Sequence, residues 1–298
     1  MAGEPTTNPT VETKPNEVPV VPDDWAALGM KSGYDPKPAE ALRLFIVGPS
    51  GEGKTTFISS IPRTVIIDFD DGANAVPNGR ATRIHVKDYA HFESIIAKLV
   101  ADNAKGQRHW DRVAIDTIDE LIAMLKHRLE DEKGVEDITE YRSTGYGYNM
   151  ILQRYWSMML DLEHAGYAWA VVGHMRTIEE TDPATKKPVT RIRESVFPGV
   201  AKKILTKSDF KLTVYCLNQT VEKKALKTLP DGRKIEVPAG TETKQTYYVD
   251  SLTTEARDGK SRGVSLMERK MEVPLCGGWD IFREKYETAV KAEKERQS

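Results

Sequence analysis

The sequence predicts an α/β fold: a mostly parallel sheet covered by helices, extended by antiparallel β-hairpins in its C-terminal third. Three observations predict it. From residue 41 to Gly173, short apolar runs alternate with segments whose apolar residues recur at helical spacing. A glycine-rich loop joins the first apolar run to the first helical segment. After Gly173 the runs turn amphipathic and are punctuated by turn sequences such as Pro230-Asp231-Gly232.

Each element has its own signal. Residues 1–24 are proline-rich and acidic, too polar to offset their ordering entropy, and are expected to be disordered. Trp25 marks the expected start of the packed domain, 25–285, whose hairpin-rich extension spans about 175–250. The stretch 286–298 is expected to form the end of a charged C-terminal helix. Leu42–Val47 reads as the first strand, and Thr55–Ser60 as a helix stopped near Pro62. Thr64–Asp68 and Thr82–Val86 follow as strands. Phe92, Ile95, Ile96, Leu99 and Val100 give a helix, and Arg112–Asp116 another strand. Helices then run through Leu121, Leu125 and Leu129, and from Tyr148 to Leu162. Ala168–Gly173 is a further buried strand. Beyond it, Arg176–Glu180 and Pro188–Glu194 flank the turn Asp182–Thr185. Phe210–Asn218 reads as a strand, Val221–Leu229 and Lys234–Val237 as a hairpin, and Thr243–Asp250 as another strand. Trp279–Lys294 is a terminal helix.

Bulk composition excludes several classes. With 298 residues, 39% hydrophobic and 30% charged, the chain has enough apolar material for a large core. A net charge of -2 does not announce a nucleic-acid partner, so local charge must carry that argument. Cys216 and Cys276 are the two cysteines, far apart and without metal-ligand spacing, as expected of a reduced intracellular protein. No apolar run approaches the roughly 20 residues that cross a bilayer. The expectation is a cytoplasmic protein with no membrane partner.

The loop carries the chemistry. Gly48-Pro49-Ser50-Gly51-Glu52-Gly53-Lys54-Thr55-Thr56 fits G-x-x-x-x-G-K-[ST] at every constrained position. Its glycines let backbone N–H groups wrap a phosphate chain, and the following helix N-terminus adds partial positive charge. Lys54 is placed to reach the β- and γ-phosphates, and the Thr55 hydroxyl to ligate Mg²⁺. ATP and Mg²⁺ are therefore the expected cofactors. Asp116, ending Val113-Ala114-Ile115, is the expected second Mg²⁺ ligand, because parallel strand ends converge on the loop's edge of the sheet. Thr117 follows it, not the glutamate of ring ATPases whose base directly succeeds that acid. The water-activating base must come from elsewhere, and Asp68, Asp70 and Asp71 cluster at the end of the second strand. Glu120, in the helix after Asp116, is a further candidate beside Asp70 and Asp71.

The P-loop Gly48–Thr56, the strand end Asp68-Phe69-Asp70, the strand Val113–Thr117 and the strand Val171-Val172-Gly173-His174 together resemble the short RecA-like P-loop ATPases encoded by bacteriophages. Some of these are implicated in single-strand annealing recombination. The resemblance covers residues 41 to about 285. It implies a RecA-like P-loop NTPase core, ATP hydrolysis, action on single-stranded DNA, and self-association into a ring or filament in the host cell cytoplasm. By position it assigns Asp70 as the base, although the family carries glutamate there. It assigns His174 as a γ-phosphate sensor, and Lys260 and Arg262 as cations offered to a neighbouring subunit's phosphate. DNA-contacting loops would follow the sensor strand, where Arg176, Lys186, Lys187, Arg191, Arg193, Lys202 and Lys203 form a basic stretch. A second basic stretch runs from Lys223 to Lys234. Phe197 is the sole aromatic residue in the first stretch, which limits base stacking. Two other readings remain open: a nucleotide-gated assembly protein with little turnover, and a P-loop kinase acting on a small molecule.

Overall fold

The computed structural model describes residues 21–31, 33–71, 76, 79–143, 145–181, 186–228, 234–254, 259–265, 267–274 and 276–297. The expected disordered segment up to residue 20, the turns 182–185 and 230–232, and Asp258 lie outside the described residues.

The described strands are β1 (Leu44–Gly48), β2 (Thr64–Asp68), β3 (Thr82–His85), β4 (Arg112–Asp116), β5 (Ala168–Thr181), β6 (Pro188–Glu194), β7 (Phe210–Thr228), β8 (Lys234–Asp250), β9 (Lys260–Ser261) and β10 (Lys270–Val273). The helices are α1 (Asp23–Ala27), α2 (Lys54–Ser59), α3 (Tyr89–Ala104), α4 (Ile118–Lys133), α5 (Tyr146–His164), α6 (Pro198–Lys207) and α7 (Gly278–Gln297). The sheet runs β10-β8-β7-β1-β5-β4-β2-β3. From β7 to β3 every neighbouring pair is parallel. β8 and β10 add antiparallel strands at one side, and β6 pairs antiparallel with the outer half of β5. This is the predicted α/β architecture, a mostly parallel sheet with an antiparallel C-terminal extension.

Burial on both faces explains why β1, β2 and β4 read as continuous apolar runs. Phe45, Val47, Val113 and Ile115 enter the core beneath α3, α4, α5 and α6. Leu44, Ile46 and Ala114 enter the core beneath α2 and α7. At the N-terminal ends of the strands, Arg112 is fully buried and closes the sheet. Its Nη2 donates to the carbonyls of Ala39, Glu40 and Leu42 at 3.1 Å each, and its guanidinium lies 5.0 Å from the Trp279 ring centroid. Burial pulls its pKa down to about 10, so the charge persists at neutral pH on the strength of those carbonyls and the indole face. Trp279, Phe282, Tyr286 and Ala289 of α7 are buried at helical spacing, so this charged helix is fastened along its length.

Four expectations are corrected. β5 does not stop at Gly173. Its apolar run ends where the strand leaves the core, and the backbone continues extended because β6 supplies partners from Met175 to Thr181. The separate strands foreseen between Phe210 and Asp250 are two long ones, β7 and β8. Gln219-Thr220 does not break β7, since polar and β-branched residues suit a ribbon exposed to water. Pro238, which lacks an N–H, falls where the register shifts between Glu222 and Lys224. The basic stretch 198–207 is the helix α6, started by Pro198 and burying Val200, Ala201 and Ile204. Trp25 does not pack the domain edge: it is 50% exposed, and α1 buries no residue. Among the described residues no helix is long and apolar enough to cross a membrane.

Candidate functional site: the phosphate-binding loop and its carboxylates

The loop leaves β1 and turns directly into α2. Gly48 passes close to β7: a Cβ there would meet the Val214 carbonyl oxygen at 2.1 Å, so only glycine fits. Gly53 sits at φ +92°, the left-handed turn that starts α2. The Glu52 carboxylate accepts the Cys216 backbone N–H of β7, and the Tyr247 ring of β8 lies alongside Gly53. The loop is thus clamped on the side of the β7–β8 ribbon. Pro49, Ser50 and Gly51 remain exposed at its tip, and Thr56 is half-buried on α2.

Lys54 is 5% exposed, and its Nζ donates to the Pro49 carbonyl at 2.7 Å. Burial lowers its pKa, opposed by the carboxylates of Asp116, Asp119, Asp70 and Glu52. An ammonium folded back on its own loop, among acids, is poised to exchange a carbonyl for phosphate oxygens.

Alternation along β4 sends Asp116 to the same face as Ala114, the face covered by α2. There the Thr55 hydroxyl donates to Asp116 Oδ2 at 2.8 Å. Asp68 lies in register with Asp116 on the adjacent strand, so two carboxylates are buried side by side. Asp116 is pushed up to about 7, first by burial and further by Asp70 and Asp68, against the pull of the Thr55 hydroxyl and Lys54. Its Oδ1 is buried with no hydrogen-bond partner. That orphaned oxygen beside a threonine hydroxyl suits a Mg²⁺ ion, which characteristically takes one or two protein oxygens and completes its shell with water and phosphate. Among the described residues no three His, Cys, Asp or Glu side chains could hold a metal by themselves. The donors that fit are Thr55 and Asp116.

The remaining expected site residues lie as follows. Asp70 and Asp71 are exposed just beyond β2, and Glu120 is exposed on α4. His174 pairs in register with Gly48, one strand from the loop. Lys260 and Arg262 stand away from the loop of their own chain. β9 pairs with the first residues of β7, at the opposite edge of the sheet from the C-terminal end of β1. Lys260 donates to the Leu205 and Thr206 carbonyls at the end of α6, and Arg262 to Thr206 at 3.2 Å. Cations there cap a helix C-terminus. The basic residues divide as well. Arg176, Lys186, Lys187 and Lys202 are exposed. Arg191 and Arg193 approach Glu180 at 3.2 and 3.6 Å, and Lys203 lies 5.0 Å over the Trp156 ring.

Two neighbours of the site escaped sequence reasoning. Asp119 was signalled by its place in the first turn of the helix that follows Asp116. Tyr247 carried no local signal, because the long β8 strand delivers it.

Residues 40–262 match the model of the AAA domain family. The chain belongs to the AAA domain family. No curated protein matches it in sequence. AAA domains are P-loop nucleotide-binding ATPases and often oligomerise, so membership points to a nucleotide-binding ATPase. This AAA domain has Thr117 directly after Asp116, so membership does not require a glutamate at that position.

Proposed function

We propose that this AAA domain is a Mg²⁺-dependent ATPase acting on single-stranded DNA. The observation that carries the catalytic half is the Thr55–Asp116 contact with an orphaned Asp116 oxygen behind Lys54. Backbone N–H groups of Gly51–Thr55 and the Lys54 ammonium bind and orient the triphosphate. Thr55 and Asp116 would hold Mg²⁺, which when bound would neutralise phosphate charge. Asp70 takes a proton from a water whose oxygen bonds to the γ-phosphorus as the bond to the bridging oxygen breaks. His174 contacts the terminal phosphate from β5. The products are ADP and inorganic phosphate.

The DNA half rests on placement. The β5–β6 ribbon emerges beyond the strand edge that carries the P-loop, with Arg176, Lys186 and Lys187 exposed along it, and Lys202 is exposed on α6. Such a surface suits a phosphate backbone with little base stacking. A ring or filament would let Lys260 and Arg262 serve the nucleotide of a neighbouring copy, and a phage recombination or annealing role in a host cytoplasm fits these parts. One observation favours the assembly reading with little turnover: Asp70 is a shorter acid than glutamate and is exposed.

The test measures phosphate release with and without single-stranded DNA. Turnover should rise with DNA, and DNA affinity should fall with salt at about 0.7 log units per phosphate contacted, per log unit of salt. Turnover indifferent to DNA would remove the DNA half. Tight ATP binding without phosphate release would favour the assembly reading.

A further inference from the structure

We propose that Asp119 is a positioning residue that holds the His174 imidazole at the terminal-phosphate end of the cradle. The inference rests on the nucleotide-binding reading of the P-loop.

Asp119 sits in the first turn of α4, just after Asp116 ends β4. Its Oδ2 accepts the His174 backbone N–H at 2.9 Å and lies 3.5 Å from His174 Nδ1. The two side chains are 18% and 32% exposed, so the contact is sheltered but open to a ligand. It is held closely: a Cβ on Gly173 would come within 3.1 Å of Ile118 Cγ2 and 3.8 Å of Asp119 Oδ2. The pair stands beside the cradle, because His174 is level with Gly48, and Asp119 contributes to the field at Lys54.

Hydrogen-bonding roles follow from chemistry. An ionised carboxylate only accepts, so a proton facing it across the 3.5 Å Nδ1–Oδ2 approach belongs to Nδ1, leaving Nε2 for a ligand. A phosphate oxygen also only accepts, so it attracts Nε2 when that nitrogen carries a proton. A ring oriented by Asp119 on its Nδ1 side presents Nε2 to the phosphate. When the terminal phosphate leaves, Nε2 loses its partner while the Asp119 contact persists. His174 is also the point where β5 leaves the core: Gly48 is its last β1 partner, and from Met175 onward β5 pairs with β6.

A merely structural Asp119 would pin α4 to β5 and do nothing else. The variants Asp119→Asn, which keeps an acceptor for the His174 N–H, His174→Gln and their double distinguish the two. Calorimetry in Mg²⁺ would compare a non-hydrolysable ATP analogue with ADP, alongside melting temperatures. The expected result is that each single variant loses about tenfold of the preference for the triphosphate, with ADP affinity within about twofold of wild type. The double variant loses no more than either single one, because the residues act as a unit. Wild-type preference in Asp119→Asn, or losses that multiply in the double variant, would overturn the proposal. So would a lowered melting temperature with both nucleotides weakened equally. Wild-type protein that binds neither nucleotide would overturn the P-loop reading itself, and this proposal with it.

Discussion

Lys54→Ala is expected to lower ATP turnover by on the order of 10³-fold while leaving the ligand-free chain folded. The size follows from where the ammonium sits. It is buried beside Asp116 and holds the Pro49 carbonyl only while no phosphate competes. In a site with little water, its attraction to the charge that develops on the γ-phosphoryl oxygens is poorly screened. Removing it costs the folded state little, because burial already disfavours its charged form. Steady-state phosphate release and thermal shift check both halves. The variant should melt near the wild type without ligand and lose most of the Mg–ATP thermal shift. Turnover within a few fold of wild type would exclude Lys54 from the phosphate cradle.

Asp116→Asn carries the second large effect, and its sign depends on pH. The Asp116 carboxyl goes from 3.8 in the unfolded chain to about 7 in the folded one, with burial the chief cause. Below the unfolded value both states hold the proton and the group costs nothing. As pH rises towards 7 the unfolded chain releases its proton while the folded one retains it, and stability falls. Above about 7 the loss is complete, on the order of a few kcal/mol. The asparagine variant does not titrate. Without ligand it should be more stable than wild type at pH 8, and the difference should vanish near pH 4. The same substitution should abolish Mg²⁺-dependent hydrolysis, since the metal needs the ionised oxygen. In the wild type, Mg–ATP affinity should rise with pH through about 7 as that proton is displaced. Thermal melts and binding isotherms across pH 4 to 8 read both effects. A stability difference between wild type and variant that did not open over that range would contradict the raised Asp116 pKa, and an asparagine variant hydrolysing normally would remove Asp116 from the metal site.

What could be read in advance follows a physical division. β2 and β4 were legible to the residue, because strands buried on both faces are bounded by their own apolar runs. Asp116 was legible for the same reason: a carboxylate ending such a run must lie at the strand edge, and the loop motif says which edge matters. The path of β5 beyond Gly173 was not, because its outer half is extended only through pairing with β6. The fusion of four segments into β7 and β8 likewise depends on each strand having the other. α6 was obscured by its lysines, although Pro198 and the spacing of Val200 and Ile204 carried its signal. Asp119 acquires meaning only when α4 is docked on β5 and its oxygen meets the His174 N–H. The basic residues show the limit of counting charge: Arg191 and Arg193 face Glu180, and Lys260 caps α6, which spacing alone does not reveal.

Gly48–Thr56 is expected to cradle a triphosphate whose Mg²⁺ is shared by Thr55 and Asp116. A crystal structure with Mg²⁺ and a non-hydrolysable ATP analogue tests it most directly. Lys54 Nζ should have left the Pro49 carbonyl for the β- and γ-phosphates, with the metal beside the Thr55 hydroxyl and facing Asp116. A nucleotide bound elsewhere, or Lys54 still on Pro49 with the analogue present, would contradict it.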